Sequence, residues 1–423
     1  MSPSVPTLQR PIEGRVASPP PPNAPAAPSP LLDVRCCDSR YLIDTIMKEC
    51  HKADPSITDF IIHQDEPVRV TCARDTLRLD HAFPDADPGS LEIMQESVSK
   101  NAILSFVVYH LMGARTTEEV EKCRLQLQET LRTRNQYEAA MRLSWGAMVR
   151  VALFPYAKGR FALVGRVTDR TIRPIDSVGL PHQAVATIRG SPRGIVLITG
   201  PMNSGKTSTA RSILNHRNWH HSGHIVTIED PIETDLTPEK SIITAREVGV
   251  DVPTFQQGLR FALRQAADTL FVGELRDGDT IAAALSAAGS GLFVVATTHG
   301  DTCVSAIKRM AASMGDEAAT VWSTLSSHLL CVVRQAMVPQ ANGRGWVVAA
   351  DALLNRGSVP KSLATGDVSA LEALTAGGSR GEEWVCMNDS LNKLVSSGSV
   401  RFDRARRAST HPSGITSPAP SPR

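Results

Sequence analysis

The segment Gly200-Pro-Met-Asn-Ser-Gly205-Lys206-Thr207 places two glycines, a lysine and a hydroxyl residue at the spacing G-x-x-x-x-G-K-[ST]. This spacing constrains the chain more than any other feature, because it needs a strand before it and a helix after it. Both are predicted: Ile195-Val-Leu-Ile-Thr199 is a short apolar run, and Lys206 opens the helical stretch KTSTARSILNHR. Glycines let backbone N–H groups wrap a polyphosphate, and a helix N-terminus adds positive potential. Lys206 then reaches the terminal phosphates and Thr207 ligates magnesium, so ATP and Mg2+ are the expected cofactors. Gly200, Asn203, Ser204, Gly205, Lys206, Thr207 and Ser208 are the phosphate-binding candidates. Met202 and Asn203 stand where small residues are expected. Asn tolerates a left-handed backbone best among non-glycine residues, so the turn is expected to survive.

Around this loop the pattern predicts an α/β chain. Apolar strands at Ile195–Ile198, Ile225–Ile228, Thr269–Gly273 and Leu292–Thr297 alternate with helical stretches, which predicts a mainly parallel sheet flanked by helices over 190–403. Residues 31–189 read as a smaller mixed domain. Within it, Asp59–Cys72 resembles two short strands around an acidic turn, and Ser97–Met112 has helical apolar spacing. Thr116 and Glu119 open a charged helix in capping-box fashion, and Met148–Phe154 with Phe161–Val167 suits a hairpin. The ends, 1–30 and 404–423, are rich in Pro and Ser, the second also in Arg, and are expected to be disordered tails. A chain of 423 residues with 42% hydrophobic content can bury the two cores.

Charge excludes little and adds little. With 45 basic and 43 acidic residues there is no global field to hold nucleic acid or an anionic membrane. Aromatic residues are only 4%, so a stacking surface for nucleic acid is not expected either. Of the eight cysteines only Cys36 and Cys37 are close together, which draws neither a disulfide framework nor a zinc clamp and predicts reduced thiols in the cytosol. No apolar run is long enough to cross a bilayer, so membrane contact is expected through partner proteins.

Three further segments follow the loop in order. His224-Ile-Val-Thr-Ile-Glu229-Asp230-Pro231-Ile-Glu233 resembles the Asp box of the type II/type IV secretion ATPases. Leu263-Arg264 with Thr269-Leu-Phe-Val-Gly273-Glu274-Leu-Arg276-Asp277 is similar to their Walker B, in which a glutamate ends the strand. Ala296-Thr-Thr-His299-Gly-Asp-Thr resembles their His box. The resemblance runs from about Ile57 to Gly398 and lies nearest the pilus-retraction branch and the DotB/TraJ-like ATPases of Dot/Icm-type secretion and conjugation. It implies a hexameric ring whose subunits join a PAS-like N-terminal α+β domain to a RecA-like core. Two departures stand out: Ala267-Asp268 replaces the family's Pro-Asp, and Thr298-His299-Gly300-Asp301 replaces its Leu-His-Thr-Thr.

Hydrolysis of a γ-phosphate needs an in-line water, and a carboxylate at a strand end can orient or deprotonate it. Glu229 is the first choice for that role, with Glu274 organising magnesium and its waters; a capping or ion-paired carboxylate is the alternative for Glu229 or Glu233. His299 either senses the γ-phosphate or is a structural histidine. The resemblance implies that Arg150 and Arg166 reach nucleotide across a domain or subunit boundary, with Arg160 and Arg170 as weaker candidates. Guanidinium groups suit the charge that develops on equatorial phosphate oxygens.

The resulting expectation is a cytoplasmic homo-hexameric ATPase, peripherally bound at the inner membrane through platform or secretion machinery proteins, that powers type IV secretion or conjugative transfer. The alternatives are a type IV pilus retraction motor and a weakly hydrolysing ATP-binding assembly scaffold. Retraction ATPases carry Ala-Ile-Arg-Asn-Leu-Ile-Arg-Glu after the core, whereas the matching region here reads Leu353-Leu-Asn-Arg-Gly-Ser-Val-Pro-Lys361, which favours the transfer or secretion branch.

Overall fold

The computed structural model describes residues 42–417 except 54–56, 73–74, 79–97, 144–147, 158, 169–171, 235 and 343–344. The expected tail at 1–30, and residues 418–423 of the tail expected over 404–423, lie outside the described residues.

The first sheet holds β1 (Ile57–His63), β2 (Arg69–Cys72), β3 (Asp75–Arg78), β4 (Tyr137–Arg142), β5 (Met148–Tyr156) and β6 (Arg160–Thr168). Its order is β3-β2-β1-β6-β5-β4, with every neighbouring pair antiparallel. Alternation assigns the faces. Phe60 and Ile62 of β1, Val149, Val151 and Leu153 of β5, and Leu163 and Val167 of β6 are buried with the helices Leu42–Ala53 and Lys100–Phe106. Ile43, Ile46, Met47 and Cys50 form the buried stripe of the first helix, at the three- and four-residue steps of one helical face. Arg150 and Arg166, one step out of phase, are exposed. The helix Thr117–Arg134 begins with the expected capping box, Thr116 accepting from Glu119 N and Glu119 from Thr116 N.

The second sheet holds β7 (Gly194–Thr199), β8 (His224–Glu229), β9 (Ile242–Glu247), β10 (Thr269–Val272), β11 (Phe293–Thr297), β12 (Leu329–Pro339), β13 (Trp346–Leu354) and β14 (Trp384–Val385). The order is β14-β13-β12-β7-β11-β10-β8-β9; from β12 to β9 the strands are parallel, and β13 and β14 extend the sheet antiparallel. Both faces are covered, which is why β7 is apolar at every step from Ile195 to Ile198. Ile195 and Leu197 enter one core, which includes the helices Phe255–Leu263 and Gly278–Gly289; Val196 and Ile198 enter the other, with the helix Lys206–His220. Parallel pairing sends the C-terminal ends of β7, β8, β10 and β11 to one edge, where ligands of such sheets bind.

Packing differs from the expected boundaries at two places. The helix His182–Gly190 buries Ala184, Val185 and Ile188 against the second sheet, so the change of core precedes Ile175 rather than falling at 189. Its own apolar stripe needs a surface, and the second sheet supplies one. The tail expected from Arg404 is a correction: Phe402–Ala408 is helical, Ala405 and Ile415 are buried with Val338 and Met387, and chain through Ser417 is described. Asn388 Nδ2 donates to the His411 carbonyl (2.8 Å), and Asn392 Oδ1 accepts from Thr416 N (2.9 Å). Side-chain amides thus satisfy a backbone whose charged composition hides its two apolar anchors.

Candidate active site

The loop between β7 and the helix Lys206–His220 is shaped by backbone that few residues allow. Gly200 and Gly205 take φ of 144° and 86°, and a Cβ on Gly200 would lie 2.5 Å from the Gln335 carbonyl oxygen. Asn203 takes φ of 60°, the left-handed conformation expected of it. Lys206 Nζ donates to the carbonyls of Gly200 and Pro201, 2.9 Å each, and so folds over its own loop. Burial pulls its pKa down, and the Glu274 carboxylate acts against that shift. Ser204 is buried, with a hydroxyl that has no partner among the described residues; Thr207 is half-buried and Ser208 exposed. A closed-in glycine turn, an unpartnered buried hydroxyl and a lysine held only by carbonyls fit a polyphosphate.

The two leading carboxylates sit in different surroundings. Glu229 ends β8 at 2% exposure. Its Oε1 accepts from Thr227 Oγ1 (2.8 Å), and its Oε2 accepts from Glu233 N and Thr234 N, both at 3.0 Å. Burial pushes its carboxyl up, against the pull of those hydrogen bonds. Glu247 Oε2 takes the next backbone donor, Ile232 N, at 3.2 Å. Glu229 therefore clamps the loop that follows it, as in the capping alternative, and both its oxygens are occupied by protein. Glu233, on that loop, is exposed.

Glu274 follows β10 and Gly273, and is 23% exposed. Its Oε1 is 2.6 Å from His299 Nε2, and its Oε2 accepts from Arg276 Nε at 2.6 Å. Burial would raise its pKa, but the hydrogen bond and charge of Arg276, with His299 next, hold it below the usual carboxylate value. Glu274 is thus a negative charge facing the loop lysine. His299, after β11, contacts this carboxylate. Arg276 also reaches across to Asp230 Oδ2, 3.5 Å away.

The arginines of the first sheet form a row. Arg166 pairs with Asp59 across β1–β6 and with Arg150 across β5–β6, so all three share a face. Arg166 Nε donates to Asp59 Oδ1 at 2.5 Å, and its Nη1 lies 3.5 Å from Asn203 Oδ1 of the phosphate loop. The structure brings Arg166 to that loop within one chain. Arg150 is exposed. Arg160 is tied back to Glu66 and the Gln64 carbonyl, away from the loop, and Arg170 lies outside the described residues.

Two residues at the site carry no role in the sequence reading. Arg276 is one, and Gln335 is the other. Fully buried on β12, Gln335 donates from Nε2 to Thr209 Oγ1 (2.8 Å) and sets its carbonyl against Gly200. Its only signal was a polar pair, Arg334-Gln335, inside an apolar strand.

A family model described as "Type II/IV secretion system protein" matches residues 96–411. The chain belongs to that family. It is a secretion-class ATPase, and the loop and its strand-end carboxylates agree with that. Over 263 residues this ATPase is 32% identical to a twitching motility protein of Neisseria gonorrhoeae, covering 62% of this chain and 69% of that one. Over 268 residues it is 31% identical to the type IV pilus retractation ATPase PilT of Pseudomonas aeruginosa, covering 63% and 76%. The crystal structure of the pilus retraction motor PilT with bound ADP superposes with a TM-score of 0.69 at 27% identity, covering 88% of this chain and 97% of that one. The Legionella pneumophila ATPase DotB, at 20% identity, shares the fold with a TM-score of 0.69 over 90% and 99% of the two chains.

Proposed function

We propose that this secretion ATPase is a hexameric motor subunit that hydrolyses Mg-ATP at the edge of its second sheet to drive a type IV secretion or conjugative transfer machine. The observation that carries the chemistry is the glycine-shaped loop after β7, with Lys206 folded over its carbonyls and the buried Ser204 hydroxyl without a partner among the described residues, in the same sheet that ends in Glu274 past β10. Lys206 would exchange its two carbonyl contacts for the β and γ phosphates of a bound nucleotide. Thr207 and Glu274 would hold Mg2+, which would supply charge neutralisation on those phosphates. Among the described residues no cluster of three or more His, Cys, Asp or Glu suits a metal, so the remaining ligands would be phosphate oxygens and water.

Glu274 would present its carboxylate to the metal and its waters, and His299 keeps that carboxylate oriented. Glu229 sets the loop from which Glu233 orients the attacking water. This assignment moves the water-handling role from Glu229 to its exposed neighbour on the same loop. Arg166 and Arg150 bring guanidinium charge from the first sheet toward the phosphates, Arg166 from the same chain.

The transfer or secretion branch rests on Leu353–Lys361, which lacks the retraction segment. A retraction motor is the second reading, favoured by the identity to PilT. Among the described residues no helix is long and apolar enough to cross a membrane. Docking of a cytoplasmic ring on inner-membrane platform proteins follows from this reading.

The test is phosphate release by the purified full chain, with mass measured in a non-hydrolysable ATP analogue. Magnesium-dependent release that is lost in Lys206→Ala, from a hexamer, is the expected result. Undiminished release in Lys206→Ala, or a strict monomer at high concentration with analogue bound, sinks the proposal.

A further inference from the structure

Arg276 stands at the end of the turn that leads from β10 into the helix Gly278–Gly289, whose N-cap is the next residue, Asp277. Its Nε donates to Glu274 Oε2 at 2.6 Å while Nη1 lies 3.5 Å from Asp230 Oδ2. Asp230 directly follows Glu229. One planar guanidinium therefore spans the C-terminal ends of β8 and β10, which are paired neighbours with Ile228 opposite Val272. Glu274 is held from its other oxygen by His299, so neither carboxylate oxygen is left to swing.

We propose that Arg276 is a positioning residue for hydrolysis: it ties Glu274 to Asp230 and so fixes the metal-side carboxylate relative to the loop that presents Glu233. The inference rests on the ATPase reading above and adds a residue to it. A guanidinium suits the task because its donors are fixed in one plane, which an ammonium on a flexible stem does not reproduce. Magnitudes separate positioning from stability. Arg276 is 53% exposed, and ion pairs of that kind contribute little to folding. A displacement of roughly 1 Å at reacting groups costs on the order of a hundredfold in rate. Loss of the tie should appear in kcat and hardly in Tm.

The experiment measures kcat, affinity for a non-hydrolysable ATP analogue, and Tm on the full chain. Arg276→Gln is expected to lower kcat about ten- to a hundredfold, with analogue affinity within about twofold. Arg276→Lys should recover part of the rate. Asp230→Asn should lower kcat less, and adding it to Arg276→Gln should bring no further loss, because both break one tie. An unchanged kcat in Arg276→Gln, equal losses of kcat and affinity, or additive losses in the double variant overturn the proposal. Should Arg276→Gln fail to fold, Asp230→Asn decides alone: an unchanged kcat there overturns it. A wild-type chain that releases no phosphate fails the ATPase reading itself, and is thereby distinguished from failure of Arg276.

Discussion

The two sheets of this chain present their charged groups in opposite ways. Around the second sheet, Glu229, Glu274 and His299 sit at or just past strand ends and Lys206 opens the helix after β7, all half-buried or buried and each held by named neighbours. In the first, Arg150 and Arg166 lie on an open face, and only Arg166 touches the phosphate loop, at 3.5 Å. A buried polar group must be satisfied where it stands, so the core fixes its chemistry when it folds. An exposed arginine depends instead on how its domain is placed. On the proposed reading, hydrolysis geometry is a property of the core, and the first sheet adds charge from outside it.

The largest expected effect sharpens the contrast inside the core itself. Glu274→Gln should lower kcat on the order of a hundredfold or more while analogue affinity stays nearly unchanged, because the group acts on metal and water in the transition state. Glu229→Gln should instead lower Tm, since replacing an acceptor of three hydrogen bonds leaves buried donors short by about 1 to 3 kcal/mol. Parallel measurement of kcat and thermal unfolding separates the two. A Glu229→Gln protein of unchanged Tm that has lost turnover would return the water-handling role to Glu229.

The next prediction tests the open face. Arg166→Ala should reduce kcat by about tenfold, less than Glu274→Gln, and leave Tm close to wild type because its pair with Asp59 is half exposed. Mixing it with Lys206→Ala chains in one assembly distinguishes the source of the charge. If Arg166 acts on its own chain's loop, neither chain type in the mixture is restored. Recovery of turnover in the mixture would place the arginine against a neighbouring subunit's nucleotide.

Much of this is legible in the amino-acid sequence. The loop spacing located Lys206, and the backbone tolerance of Asn anticipated the left-handed Asn203. Strand alternation anticipated the parallel core, because a strand buried on both faces has to be apolar at every step. What stayed hidden was partner choice. Glu229 and Glu274 look alike in the sequence, each ending an apolar strand, and only the fold shows that one faces its own loop's N–H groups and the other Arg276 and His299. Arg276 was visible as a letter in a motif, yet its reach to Asp230 depends on β8 and β10 being neighbours although 39 residues of loop, strand and helix separate their ranges. The C-terminal segment misleads for a related reason: among its described residues only Ala405 and Ile415 are deep anchors, and composition weights the arginines around them more heavily.

The smallest expected effects lie at the chain ends, and they split what composition had joined. Removing residues 1–30 together with 418–423 should leave turnover per subunit nearly intact, because Pro-, Ser- and Ala-rich chain buries too little to offset an ordering cost of roughly 1 to 2 kcal/mol per residue. Extending the second cut back to Arg404 should behave differently. It removes Ile415, 6% exposed, whose burial contributes about 1.5 to 3 kcal/mol, and it strips the acceptors and donors that Asn388 and Asn392 satisfy. Those losses fall on the cluster beneath β12 and β13, the hairpin that backs Gly200 and Gly205. The longer truncation should therefore lower Tm first and turnover only as the fold weakens, whereas the shorter one should move neither. Equal Tm for the two truncations would mean that the segment 404–417 does not anchor the core; loss of turnover in the shorter one, with the hexamer intact, would make the outer tails part of the motor.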